Sequence, residues 1–224
     1  MEKKVVILPE TTKDPISLIG RRAGICYGAP IGDPEKNYKR GLECIKNMHG
    51  RTWEFPKIEL IISGFSAKVI REWYTHIGGA PTRLQASTRY IEYGDFDYIT
   101  PPTISSPSEK RIYDDCMKYI SSSVKALEEL GVPKEDASML LPLGMSTVEI
   151  DSRNLRNFVD LTRQRMCNRA FWEFRELVDT IIAALKEYSE EWCTVADMLF
   201  MPKCEFLGYC PEKFSCGMYE AKHD

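Results

Sequence analysis

The order of apolar patterns along the chain restricts its fold more than any other feature. Three short runs have strand character: residues 4–8, a β-branched run ended by Pro9; residues 57–64, with Ile58, Leu60 and Ile62 on one face; and residues 146–150. Around them lie helical stretches at 15–24, 38–48, 66–77, 108–130, 133–141, 154–164, 168–188 and 191–201. Strands and helices do not alternate, so a doubly wound parallel sheet is excluded. The expectation is an α+β fold: a central, mostly antiparallel sheet flanked by long helices. It forms a single domain over 1–202, followed by a Cys-rich C-terminal tail over 203–224.

Local signals sharpen several elements. Ser66 is a good N-cap, and Val69, Ile70, Trp73, Tyr74 and Ile77 follow at helical spacing until Gly78-Gly79 and Pro81 stop the helix. The polar segment 82–90 then reads as a loop. In the long helix 108–130, Ile112, Cys116, Tyr119, Ile120, Val124 and Leu127 form the expected buried stripe. In 168–188 the stripe is Phe171, Phe174, Val178, Ile181 and Leu185.

Composition narrows the function classes. Thirty Lys and Arg against 33 Asp and Glu give a net charge of −3, which offers nothing to a nucleic-acid polymer or an anionic membrane. No apolar run approaches the roughly 20 residues of a membrane span. The opening MEKKVVILPETT reads as a first strand rather than a signal peptide, and a reducing cytoplasm is the expected compartment. Dinucleotide-binding, P-loop and nucleophile-elbow signatures are absent. With His49, His76 and His223 as the only histidines, a His-rich metal site is excluded.

Of eight cysteines, Cys193, Cys204, Cys210 and Cys216 crowd the end of the chain. Cys204-x5-Cys210-x5-Cys216, with turns at Gly208, Pro211 and Gly217, could gather around zinc or an iron–sulfur cluster, with Cys193 or His223 as fourth ligand. Free thiols are the slightly preferred reading, because the spacing is not the two-residue knuckle of common zinc sites. Any metal there would be structural.

Two segments carry candidate chemistry. The first, 71–90, reads REWYTHIGGAPTRLQASTRY. It has a glycine pair that permits close backbone approach, then Arg83, Gln85, Ser87 and Arg89 in seven residues. Arginine forks with interleaved hydroxyls and an amide suit a phosphate and a planar polar ring. A solvated polar loop is the plain alternative. The second, 152–175, carries Arg153, Arg156, Arg163, Arg165, Arg169 and Arg175. Near Arg165 to Arg169 a helix start adds N–H groups that favour an anion.

At these segments the chain resembles the flavin-dependent thymidylate synthases. The second half of that family's R-H-R-x7-S motif stands intact as Ser87-Thr88-Arg89-Tyr90, whereas Thr75-His76-Ile77 keeps only the histidine. HGRTWEF at 49–55, GVPKEDASMLLPL at 131–143 and RMCNRAFWE at 165–173 are similar to three further family stretches, in the same order. Departures include Ser138 and Phe171, where the family has arginine and glutamine. Arg83 and Arg163 are the candidates to replace the missing arginines.

The resemblance implies reductive methylation of dUMP to dTMP. Methylenetetrahydrofolate would donate the carbon, and NADPH the electrons through FAD, in a homotetramer whose sites draw on several subunits. It places Ser87 and Arg165 at the reacting pyrimidine as the catalytic positions, Ser87 as a positioning hydroxyl rather than an attacking group. Arg83, Gln85, Ser87, Arg89, Arg165 and Glu72 would bind substrate. Thr52, His76, Arg153, Asn157 and Arg169 would bind the flavin. The lost arginines motivate two rivals, methylation of another pyrimidine nucleotide such as UMP and a non-catalytic nucleotide-binding relative. The tail motivates a third, a metal-binding interaction protein.

Overall fold

The computed structural model describes residues 1–222, so His223 lies outside the described residues. The strands are β1 (Lys4–Ile7), β2 (Lys57–Ser66), β3 (Thr82–Gln85) and β4 (Ser146–Asn154). The helices are α1 (Pro15–Cys26), α2 (Pro34–Lys46), α3 (Ala67–Trp73), α4 (Pro107–Glu129), α5 (Lys134–Ala137), α6 (Leu155–Arg165), α7 (Trp172–Tyr188), α8 (Glu190–Leu199) and α9 (Lys203–Leu207). The strands pair as one antiparallel sheet in the order β1-β2-β4-β3, which makes the fold α+β as expected. No helix among the described residues is long and apolar enough to cross a membrane.

The chain forms two compact units, each assembled from separate stretches. The first takes residues 1–4, 62–75 and 84–150. Its core holds Ile62, Phe65, Val69, Ile70, Trp73, Met117 and Val124. Ser66 caps α3 by accepting from the Val69 amide at 3.2 Å. Ser106 and Glu109 close a reciprocal capping box on α4.

Three expectations change here. Helix α3 stops at Trp73, so His76 belongs to the connection beyond it. The polar segment at 82 is strand for four residues, because an exposed strand needs no apolar alternation to keep its ladder. The α4 stripe also shifts: Met117 and Val124 are buried, whereas Ile112 is 69% and Tyr119 75% exposed, with Cys116 exposed as well.

The second unit takes residues 5–61, 76–83 and 151 onward. On α7, Phe174, Leu177, Val178, Ile181 and Leu185 are fully buried, each worth roughly 1.5–3 kcal/mol over exposure. Ser189 caps α8 through the Trp192 amide, and the Trp192 indole donates to Thr12 O at 2.7 Å. Helices α1 and α2 touch backbone to backbone. A Cβ on Gly20 would fall 1.8 Å from Asn37 O, and one on Gly41 2.0 Å from Ile16 O.

Strand β4 runs four residues beyond Ile150. Its pleat puts Asp151 and Arg153 on the same buried face, and their mutual pairing lets a charged sequence continue a strand.

Candidate active site

The second unit brings His76, Arg153, Asn157 and Arg165 together around the turn that follows α3, with Arg83 near enough for its charge to act on His76. Asn154 caps α6 by accepting from the Asn157 amide at 2.8 Å. That cap aims the Asn157 carboxamide at the turn, where Nδ2 donates to Gly78 O at 2.6 Å and to His76 O at 3.2 Å. Gly79 sits at φ 74°, and a Cβ there would lie 2.4 Å from Asn154 Nδ2. Only glycine lets the turn press against the α6 N-terminus in this way.

Arg153 stands beneath the same carboxamide. Its Nε and Nη2 donate to the two Asp151 oxygens at 2.6 and 2.7 Å, and its Nη1 donates to Asn157 Oδ1 at 2.8 Å. Both charged side chains are fully shielded from solvent. Arg153 therefore sets the orientation of Asn157, and through it the turn. Asp151 was not foreseen. Its signal was the alternation of Glu149, Asp151 and Arg153 in a strand, a polar face where an apolar one is the rule.

Above the turn, Arg165 at the end of α6 donates from Nε to His76 Nε2 at 2.9 Å. Its guanidinium lies 4.6 Å from the Phe174 ring centroid, and the His76 ring meets Phe174 edge-on at 5.7 Å. Burial first, then the charges of Arg165, Arg153 and Arg83, lower the His76 pKa from 6.5 to about 4. His76 is thus a neutral imidazole that accepts at Nε2 and carries its proton on Nδ1.

The remaining expected residues have local partners. The Thr52 hydroxyl donates to His49 O at 2.8 Å. Arg169 donates to Phe214 O at 3.0 Å and pairs with Glu212 at 3.6 Å, which turns it toward the tail. Arg163, the other candidate replacement arginine, stacks on Phe206 at 4.0 Å. In the first unit, Gln85 Nε2 donates to the Thr147 hydroxyl at 3.3 Å, and Ser87 Oγ accepts from the Arg89 amide at 3.2 Å. Arg89 pairs with Glu135 at 2.9 Å, both side chains exposed. Glu72 accepts through its backbone carbonyl from the Thr75 hydroxyl at 2.7 Å.

The donor set fits a flavin nucleotide. Asn157 holds the turn by two hydrogen bonds, the imidazole beside it is uncharged, and the Arg165 guanidinium next to it is a cation of the kind that binds phosphate oxygens.

A family model described as "Thymidylate synthase complementing protein" matches residues 7–189. The chain belongs to this family. Relatives are named flavin-dependent thymidylate synthase. The protein of Nitratidesulfovibrio vulgaris (strain Hildenborough) is 28% identical, with 97% of this chain and 96% of the relative covered. That of Clostridium tetani is 29% identical, with 97% and 94% covered. Solved structures of the same fold include the Helicobacter pylori flavin-dependent thymidylate synthase ThyX complexed with FAD and dUMP. It has a TM-score of 0.67 and 18% identity, with 88% of this chain and 99% of that one covered. Another is the UMP/dUMP methylase PolB of Streptomyces cacaoi bound with 5-Br dUMP, at TM-score 0.72 and 14% identity, with 89% and 96% covered. The family identified from the sequence motifs is thereby shown.

Proposed function

We propose that this family member methylates C5 of dUMP, with methylenetetrahydrofolate as carbon donor and NADPH as electron source through FAD. The observation that carries the reading is the extent of the family match, whose residues 7–189 include both arginine-bearing segments. When bound, FAD supplies the hydride chemistry. The Asn157-locked turn and neutral His76 hold the flavin side of the site, with Thr52 as a further contact. Arg83, Gln85, Ser87, Arg89 and Arg165, with Glu72, hold the nucleotide, its phosphate by the arginines and its pyrimidine by the amide and hydroxyl. In a homotetramer these groups come from more than one protomer. The exposed Ile112 and Tyr119 of α4 support self-association. Ser87 and Arg165 stabilise charge on the pyrimidine, so no protein nucleophile is needed.

The visible spectrum of the purified protein, followed by dUMP-dependent oxidation of its reduced flavin, tests this. A colourless protein that refuses added FAD would end it. Thr75 and Ile77, where the family carries arginines, favour a second reading in which UMP is also methylated. Turnover of UMP beside dUMP under identical conditions separates the two.

A further inference from the structure

Half of the cysteines in the chain converge on one cavity of about 570 Å³, wholly within the second unit. Cys167 comes from the link between α6 and α7, Cys204 from α9, and Cys210 and Cys216 from the tail. Cys204 and Cys210 are buried. Asn168 Nδ2 donates to Cys216 Sγ at 3.8 Å. The sequence pointed to Cys193 or His223 as partner of the three tail cysteines. Instead the structure brings up Cys167, while Cys193 is not among the residues that line the cavity.

Among the described residues, no three Cys, His, Asp or Glu side chains are placed to hold a single metal ion. One tetrahedral zinc would need its sulfurs roughly 3.8 Å apart, given Zn–S bonds of about 2.3 Å. Four thiols around a volume instead suit a cluster that gives each thiolate its own iron. The wall is also cationic: Arg163, Arg169 and Lys203 line the same space and would offset the negative charge of a thiolate-ligated cluster. The Asn168 contact supplies an N–H donor to a ligand sulfur, a common determinant of cluster potential. The surrounding fold gives the tail little apolar anchorage, with Phe214 and Met218 exposed, yet Cys210 pairs with Ala221 in a β-bridge and Arg169 holds Phe214 O.

We propose that Cys167, Cys204, Cys210 and Cys216 ligate a four-iron iron–sulfur cluster in this cavity. Each thiol releases its proton as its sulfur bonds iron, and two ferric irons, two ferrous irons and four sulfides come from outside the chain, so the cluster forms with no net oxidation or reduction. The cluster staples the tail to the link between α6 and α7. Arg165, which also lines the cavity, connects that staple to His76.

The test uses the full chain purified without oxygen, then incubated with equal amounts of ferrous and ferric iron and with sulfide. Iron and acid-labile sulfide are counted, and the dithionite-reduced sample is read by electron paramagnetic resonance, which separates cluster from flavin. The expected result is about four irons and about four sulfides per chain. Cys167→Ser and Cys210→Ser lose most of the iron, while Cys193→Ser keeps it. Less than roughly a tenth of an equivalent of iron in the parent would overturn the proposal, as would about one zinc with no sulfide. Cys167→Ser with undiminished iron would also overturn it. If a serine variant fails to fold, the parent's metal count and spectrum still decide. None of these readouts needs turnover, so their failure leaves the methylation reading standing.

Discussion

Arg165 Nε donates to His76 Nε2 at 2.9 Å, and burial, reinforced by that guanidinium, keeps the imidazole neutral. The unfolded chain takes up the His76 proton near pH 6.5 and the folded chain only near 4. Between those values the unfolded state binds more protons, so stability falls as pH falls, and above 6.5 the effect vanishes. Urea midpoints from pH 7.5 down to about 4.5 should therefore drop more steeply for the parent than for His76→Gln. Parallel curves would remove His76 as the source.

The Asp151–Arg153 pair is fully buried, and breaking it from one side strands a charge. Arg153→Met should destabilise the fold by about 3–5 kcal/mol in urea titrations. The double variant Asp151→Asn with Arg153→Met should recover part of that loss. If the double variant is as unstable as the single, the ion pair is not the source of the cost.

Arg89 offers the opposite case. Its pairing with Glu135 is exposed on both sides, so Arg89→Ala should change stability by less than about 1 kcal/mol. Loss of one charge-assisted phosphate contact should nevertheless weaken dUMP binding about tenfold to a hundredfold. Calorimetric titration of the oxidised protein measures this, and an unchanged dissociation constant strikes Arg89 from the nucleotide contacts.

Gly79→Ala should hurt the turn in two ways. A left-handed alanine costs roughly 1–2 kcal/mol. The new methyl would also crowd Asn154, whose side chain caps α6, and a lost cap costs about 1 kcal/mol. Thermal melts should show the destabilisation and equilibrium dialysis a weaker flavin complex. A variant with parental melting temperature and flavin affinity would show that the turn is not pressed on the helix.

The parts of the fold legible in the sequence were those with a strong period and a clear stop. Phe174, Val178, Ile181 and Leu185 were read as one face of α7, and all four are fully buried. The Ser66 cap was equally plain. Helix α4 misled because apolar residues lie on more than one of its sides. Spacing alone could not tell that Met117 goes inside while Ile112 and Tyr119 stay out. The strand pattern of β4 ends at Ile150 in the sequence, because Asp151 and Arg153 look like loop residues until their pairing is seen.

The site shows the same division. His76 and Arg165 were singled out from motifs 89 residues apart, and the structure joins them by a hydrogen bond. That Arg153 would face Asp151 and Asn157 rather than solvent was hidden, because a strand's inward face is known only once its neighbours are placed. The partnership of Cys167 with the tail was hidden for a similar reason. It depends on how α9 returns to the end of α6, which no spacing rule encodes.

The backbone contact at Gly20 and Gly41 carries a consequence for how the protein opens. Two helices that meet with no side chain between them cannot loosen by rotamer changes. They separate fully or stay closed. Amides through the middle of α1 and α2 should thus share one opening free energy in hydrogen exchange and lose protection together. A single methyl at either glycine would wedge the pair apart and divide that block into two helices exchanging at their own rates.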